Sequence, residues 1–133
     1  MSMRPFVVAV PAALLWAGSW QSEAHAQAGQ PLPAGVTPSM VKEGATIFTG
    51  QGTCFVCHGP DAKGRIGPNL TDQTWLHSQG SYEEIVQQIK TGVPPTQSVS
   101  GVVMPPKGGS DISETQVKAV AAYVWTLSHP SAT

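Results

Sequence analysis

The chain has 133 residues and a net charge of −1, with charged side chains at only 11% of positions and hydrophobic ones at 41%. That length suits one domain, the apolar share excludes an acidic disordered tail, and seven Lys and Arg residues in all exclude an electrostatic nucleic-acid binder. Its 14 glycines and 12 prolines describe a loop-rich, weakly charged domain that has trouble completing a core unaided.

Residues 1–26 read as an export signal. Arg4 opens a short basic start, Phe6 to Val10 and Ala12 to Trp16 form an apolar run broken by Pro11, and Ala24-His25-Ala26 supplies small residues for cleavage before Gln27. The run falls short of the roughly 20 residues that span a bilayer. An uncleaved membrane anchor is the alternative. Residues 27–37, with Pro31, Pro33 and two glycines, read as a flexible lead-in. No second apolar run of helical length follows, so the mature chain is expected to be soluble and exported.

Three helices announce themselves by their caps. Thr37-Pro38 is an N-cap followed by Pro in the first helical position. Val41, Gly44 and Phe48 then share a face, with Ile47 beside them. Gly44 costs about 1 kcal/mol relative to Ala inside a helix, which a close helix–helix crossing would explain. Ser81-x-x-Glu84 is a capping box, continued by Tyr82, Ile85, Val86 and Ile89 and stopped at Gly92. Ser113-x-x-Gln116 is a second capping box, with Ile112 and Val117 at the staple positions. Val120, Ala121, Val124 and Leu127 carry its apolar face until Pro130. Strand alternation is absent; Val99 to Val103 comes nearest, and Gly101 interrupts it.

Between the first two helices lies Cys54-Phe55-Val56-Cys57-His58. Behind an export signal, such a pair admits four readings. A disulfide would close only a tight local loop. A thioredoxin-type redox pair needs a βα context that the sequence lacks. Zinc needs four ligands, and His77 and His129 are too far apart to complete a His-x₃₋₅-His pair. The fourth is covalent haem attachment, of which Cys-x-x-Cys-His is the signature. Each thiol adds to one porphyrin vinyl group, and the helical turn carries His58 to the iron. The fourth reading is adopted.

Residues 38–129 resemble a monohaem class I cytochrome c, similar to small c-type domains of bacterial respiratory chains. The likeness rests on Gly44 and Phe48, Cys54-x-x-Cys57-His58-Gly59, Gly67-Pro68-Asn69-Leu70, Met104-Pro105 and Tyr123-Val124, in that order. It implies an all-α fold of three to four helices wrapped around one haem c, with residues 130–133 as a tail. It also implies that Gly44 sits beneath Tyr123 and that the Pro68 carbonyl accepts the ring N–H of His58.

The second axial ligand decides between carrier and catalyst. After signal removal Met40 and Met104 remain. Met40 opens the first helix and reads as packing. Met104 lies in a loop braced by Pro105-Pro106, where a stiff backbone can hold a weak thioether ligand. His77 and His129 are the rivals. Leu70, Ile89 and Val93 are candidates for the apolar haem wall, and Asn69 for support around it. Trp75 either donates its indole N–H to a haem propionate or packs beneath it.

With His58 and Met104 both on the iron, the expected function is a one-electron carrier, not an enzyme, exported to a bacterial periplasm. It would work between redox proteins such as an oxidase, a dehydrogenase or another respiratory complex. It would touch no nucleic acid, and a membrane only through its partners or a retained anchor. A haem enzyme with a labile Met104 and a membrane-anchored cytochrome subunit are the alternatives. Lys63, Arg65 and Lys107 would form a modest positive docking rim, or serve only as solvated loop charges. Screening within roughly 8 Å makes a small, fast-dissociating contact the expectation.

Overall fold

A computed structural model describes residues 30–132; the expected export signal lies outside them, as does the start of the lead-in. Four α-helices follow in order, α1 (Pro38–Thr49), α2 (Cys54–His58), α3 (Tyr82–Thr91) and α4 (Glu114–Leu127), with a 3₁₀ turn at Pro106–Gly109. The all-α expectation holds. Among the described residues the β pairing is a single isolated bridge, Val93 with Met104.

Local chemistry sets the helix starts. The Thr37 hydroxyl accepts the Met40 N–H at 3.3 Å, and Pro38 follows where a missing N–H costs nothing. Ser81 and Glu84 form a reciprocal capping box on α3, as do Ser113 and Gln116 on α4. Ile112 and Val117 are both buried, as a hydrophobic staple requires. Gly92 ends α3. α4 stops at Leu127, three residues before Pro130, its end tied down by Ser128 and by His129, whose ring stacks on Trp125 at 4.0 Å.

α1 and α4 cross at Gly44. A Cβ there would overlap the Ala119 carbonyl and stand 2.9 Å from the Tyr123 Cβ. The expected partner, Tyr123, is present, but the closest obstacle is the backbone of Ala119 one turn earlier. Phe48, fully buried, meets the Tyr123 ring edge-on at 5.4 Å. α3 leans on α4 from the side, with the Tyr82 hydroxyl donating to the Lys118 carbonyl at 3.3 Å. The shared core is Ile47, Phe48, Ile85, Ile89, Val117, Val120, Val124 and Trp125.

The described part of the lead-in does not trail away. Val36 is buried, its N–H closing a turn onto the Pro33 carbonyl at 3.0 Å, and Leu32 packs on the core. At the other end Ala132 also packs on the core.

Candidate functional site

One long cleft runs between the α1/α4 pair and the loops that follow α2 and α3, holding about 1180 Å³ of space, its open mouth included. Its walls are mostly apolar, as those of cofactor sites are.

α2 supplies the first wall. Thr53, in the left-handed region at φ 55°, turns the chain sharply into a helix only five residues long. Spacings of three and four residues on one helical turn make Cys54, Cys57 and His58 neighbours, and all three line the cleft. Both cysteines are free thiols. Burial, with Cys57 close by, pushes the Cys54 thiol up to about 11, the opposite of a redox-active or zinc-binding thiolate. Among the described residues, no three His, Cys, Asp or Glu side chains gather as a metal site.

His58 is buried and its ring is held from behind. Nδ1 lies 2.9 Å from the Pro68 carbonyl oxygen. A carbonyl can only accept, so Nδ1 carries the proton and Nε2 keeps its lone pair. Burial lowers the affinity of His58 for a second proton, and the Pro68 bond only partly offsets this. Gly67 lies against the ring, where a Cβ would stand 3.1 Å from Cε1 and 3.2 Å from Nδ1. Its N–H donates to the Cys57 carbonyl at 2.9 Å, and Leu70 N–H to Ala62 at 2.8 Å, so residues 59–70 fold back over α2.

Met104 reaches the same cleft from a loop pinned by backbone pairing. Val93 N–H donates to the Met104 carbonyl at 2.8 Å, and Met104 N–H returns the bond at 2.9 Å. Gly92, at φ 69°, allows this approach, because a side chain there would overlap the Met104 carbonyl. A further bond joins the two walls: the Thr53 hydroxyl donates to the Gly108 carbonyl at 3.0 Å. Where the sequence pointed to Pro105-Pro106 as the brace, the structure adds Val93 and Thr53.

Between the walls the lining is apolar, with Phe48, Leu70, Ile85, Ile89, Val93 and Val124 prominent. Trp75 is half-buried on the cleft with Gly80 beneath its indole, where no side chain would fit. Asn69 lines the cleft too, but its Oδ1 accepts the N–H and hydroxyl of Thr71, each at 2.8 Å, which gives it a local turn to hold. Met40 is half-buried outside the cleft. The two rival histidines differ in their relation to the cleft. His129 is bound to the Trp125 carbonyl at 2.8 Å, off the cleft, and His77 is exposed on its rim. Lys107 stands 3.8 Å from Glu114 and is not a free docking charge; Lys63 and Arg65 are exposed.

The residues thus brought together are a buried imidazole with a free Nε2, a thioether, and two thiols three residues apart. All of them border one apolar cleft. That donor set fits a flat, apolar iron macrocycle joined covalently to the chain. Sequence reasoning missed Thr53, Ile66, Gln88, Ser98 and Gly108 as lining residues. A Thr before Cys54 carries no signal of a bond to a carbonyl 55 positions on.

Known proteins agree. The family described as cytochrome c oxidase, cbb3-type, subunit III matches residues 39–124. The cbb3-type cytochrome c oxidase subunit FixP of Azorhizobium caulinodans is 42% identical over 96 residues, covering 70% of this chain and 29% of that protein. The corresponding subunit CcoP of Rubrivivax gelatinosus is 36% identical over 83 residues, covering 59% and 24%. The chain therefore spans about a quarter of the length of these relatives. Cytochrome cL from Methylophaga aminisulfidivorans superposes with a TM-score of 0.52 at 21% identity, covering 67% of this chain and 53% of that one. That likeness establishes the cytochrome c fold.

Proposed function

The chain belongs to the family of cbb3-type cytochrome c oxidase subunit III, and on that premise we propose that it is a haem c electron-carrier domain working with such an oxidase. The observation that carries this is the placement of His58 and Met104 on one apolar cleft, each with its backbone or ring fixed from outside it.

When bound, haem c supplies an iron centre that accepts and releases one electron at a time. Cys54 and Cys57 would hold it through two thioether bonds. His58 Nε2 would bind the iron, and the Pro68 carbonyl would keep the imidazole oriented and make it a stronger donor. The Met104 thioether would bind it too, a choice that raises the reduction potential. Leu70, Ile89 and Val93, on the apolar lining, would exclude water from the centre, and Trp75 would border its edge. With His58 and Met104 both holding the iron, no position would be left for a small substrate, so the domain would move electrons rather than make bonds.

The relatives are oxidase subunits. That favours a cytochrome bound to one oxidase, earlier the alternative, over a free shuttle. The domain would face the periplasm, held there by the oxidase or by residues 1–26 retained as an anchor. No helix among the described residues is long and apolar enough to cross a membrane.

The test is to mix the ascorbate-reduced holoprotein with membranes that contain a cbb3-type oxidase and oxygen. Rapid oxidation that cyanide blocks is the expected result. Failure to oxidise, or carbon monoxide binding to the reduced native protein, would overturn it, the latter in favour of a haem enzyme.

A further inference from the structure

Residues 50–70 carry both cysteines and His58, residues 93–110 carry Met104, and both segments border the cleft. Among the described residues one hydrogen bond joins them, from the Thr53 hydroxyl to the Gly108 carbonyl at 3.0 Å. Gly108 lies close against the α2 side there, since a Cβ on it would stand 2.7 Å from the Gly52 carbonyl oxygen and 3.3 Å from Thr53 Oγ1. The other bonds that shape the Met104 segment stay on its own side of the cleft. Val93 pairs with Met104, the Gly108 N–H donates to the Pro105 carbonyl at 3.0 Å, and the Ser110 hydroxyl donates to the Lys107 carbonyl at 2.6 Å.

Local structure does not explain a threonine at position 53. Its backbone is left-handed, at φ 55° and ψ 10°, where a β-branched side chain is a steric outlier and Gly or Asn fits at less cost. The turn that precedes α2 closes through the backbone, with the Thr53 N–H donating to the Gly50 carbonyl at 3.0 Å. A threonine at an N-cap ordinarily accepts an N–H of its own helix, but this one makes no such bond to α2. Its hydroxyl is directed to the Met104 segment instead.

From this arrangement we infer that Thr53 is a positioning residue for Met104, its hydroxyl latching the Met104 segment to α2 and so keeping the thioether on the iron. The inference rests on the reading of the cleft as the haem site. The Val93 pairing ties Met104 to the end of α3, and the Thr53 bond ties the same segment to the helix that carries His58. The two ligands are thereby joined through the protein. Thr53 is exposed, so water replaces its hydroxyl at Gly108 whenever the segment lifts, and the latch has the strength of a single hydrogen bond in exchange with water. It makes departure of Met104 rarer without preventing it. Without it, the state in which Met104 is off the iron is more populated, and a ligand that binds that state gains apparent affinity by the same factor.

The test is titration of the oxidised holoprotein with imidazole, followed by loss of the methionine absorption band, in the native chain and four variants. Thr53→Val keeps the branched shape and drops the hydroxyl. Thr53→Gly drops the hydroxyl and also relieves the left-handed backbone, so it decides the matter if the Val variant fails to fold. Both should bind imidazole about threefold to tenfold more tightly than the native chain, the factor that one net hydrogen bond represents. Thr53→Ser keeps the hydroxyl and should bind as the native chain does. Thr46→Val loses a comparable bond within α1, from its hydroxyl to the Lys42 carbonyl at 3.3 Å, and should also match the native chain. Native affinity in a folded variant without the Thr53 hydroxyl overturns the inference, as does an equal gain in Thr53→Ser or Thr46→Val, while the haem site stands. A native protein that lacks the methionine band would instead overturn the reading of Met104 as a ligand, and the inference with it.

Discussion

At the scale of single residues, the account turns on how little freedom His58 has. Its ring is fixed by one hydrogen bond to Pro68 and by contact with Gly67. Gly67→Ala would put a methyl group 3.1–3.2 Å from the imidazole, so the ring must tilt or the loop must lift. We expect it to destabilise the holoprotein by about 1–3 kcal/mol, as overpacking does, and to shift the NMR signal of the Nδ1 proton. Denaturant unfolding with native stability would show that the glycine is there only for the turn. The chemistry-bearing residues were legible in the sequence because Cys54, Cys57 and His58 are close together and few residue types can do this work. Asn69 was legible only as part of a motif, and its side chain proves to serve a local turn with Thr71. Thr53 was not legible at all, since its partner is distant in the chain.

At the scale of elements, the helix ends were the clearest part of the sequence. Both capping boxes, the Thr37-Pro38 start and the Gly92 stop use local chemistry that does not depend on the rest of the fold. The pairing of Val93 with Met104 lacked any such signal, because Pro94-Pro95 and Gly101 break the alternation a strand would show. Gly44 was recognised as a crossing point, yet which atom it clears depends on helix register. That contact yields a prediction opposite in sign to helix propensity. Ala at position 44 should favour an isolated helix by about 1 kcal/mol. Gly44→Ala should nonetheless lower stability by about 1–3 kcal/mol, because the new methyl overlaps the Ala119 carbonyl. A raised denaturant midpoint would mean that α1 and α4 do not meet so closely.

At the scale of the molecule, loops rich in Gly and Pro do not fill a core by themselves; they shape a cleft, and the cofactor completes it. On the surface, Glu114 joins Lys90 of α3 and Lys107 of the 3₁₀ turn to the start of α4. Its hydrogen bond and charge pairing with Lys90, helped by Lys107, hold the Glu114 carboxyl below the usual carboxylate range. A lowered native pKa gives stability that is present above the unfolded pKa and lost as pH falls through the native one. The pair is exposed, so its share is small. Thermal unfolding should find Glu114→Gln slightly less stable than the native holoprotein at neutral pH, with the gap closing in acid. A gap that persists after carboxylates are protonated would rule out ion pairing as its cause. Low net charge, read first as a sign of brief docking, also fits a domain held beside one oxidase.

The central claim is that His58 and Met104 are the two axial ligands of one covalent haem. It is tested most directly by the absorption spectrum of the oxidised Met104→Ala holoprotein beside that of the native one. The native protein should show a six-coordinate low-spin haem with the long-wavelength band of methionine ligation, and Met104→Ala should lose that band and bind added imidazole or carbon monoxide. A methionine band that survives in Met104→Ala would contradict the account.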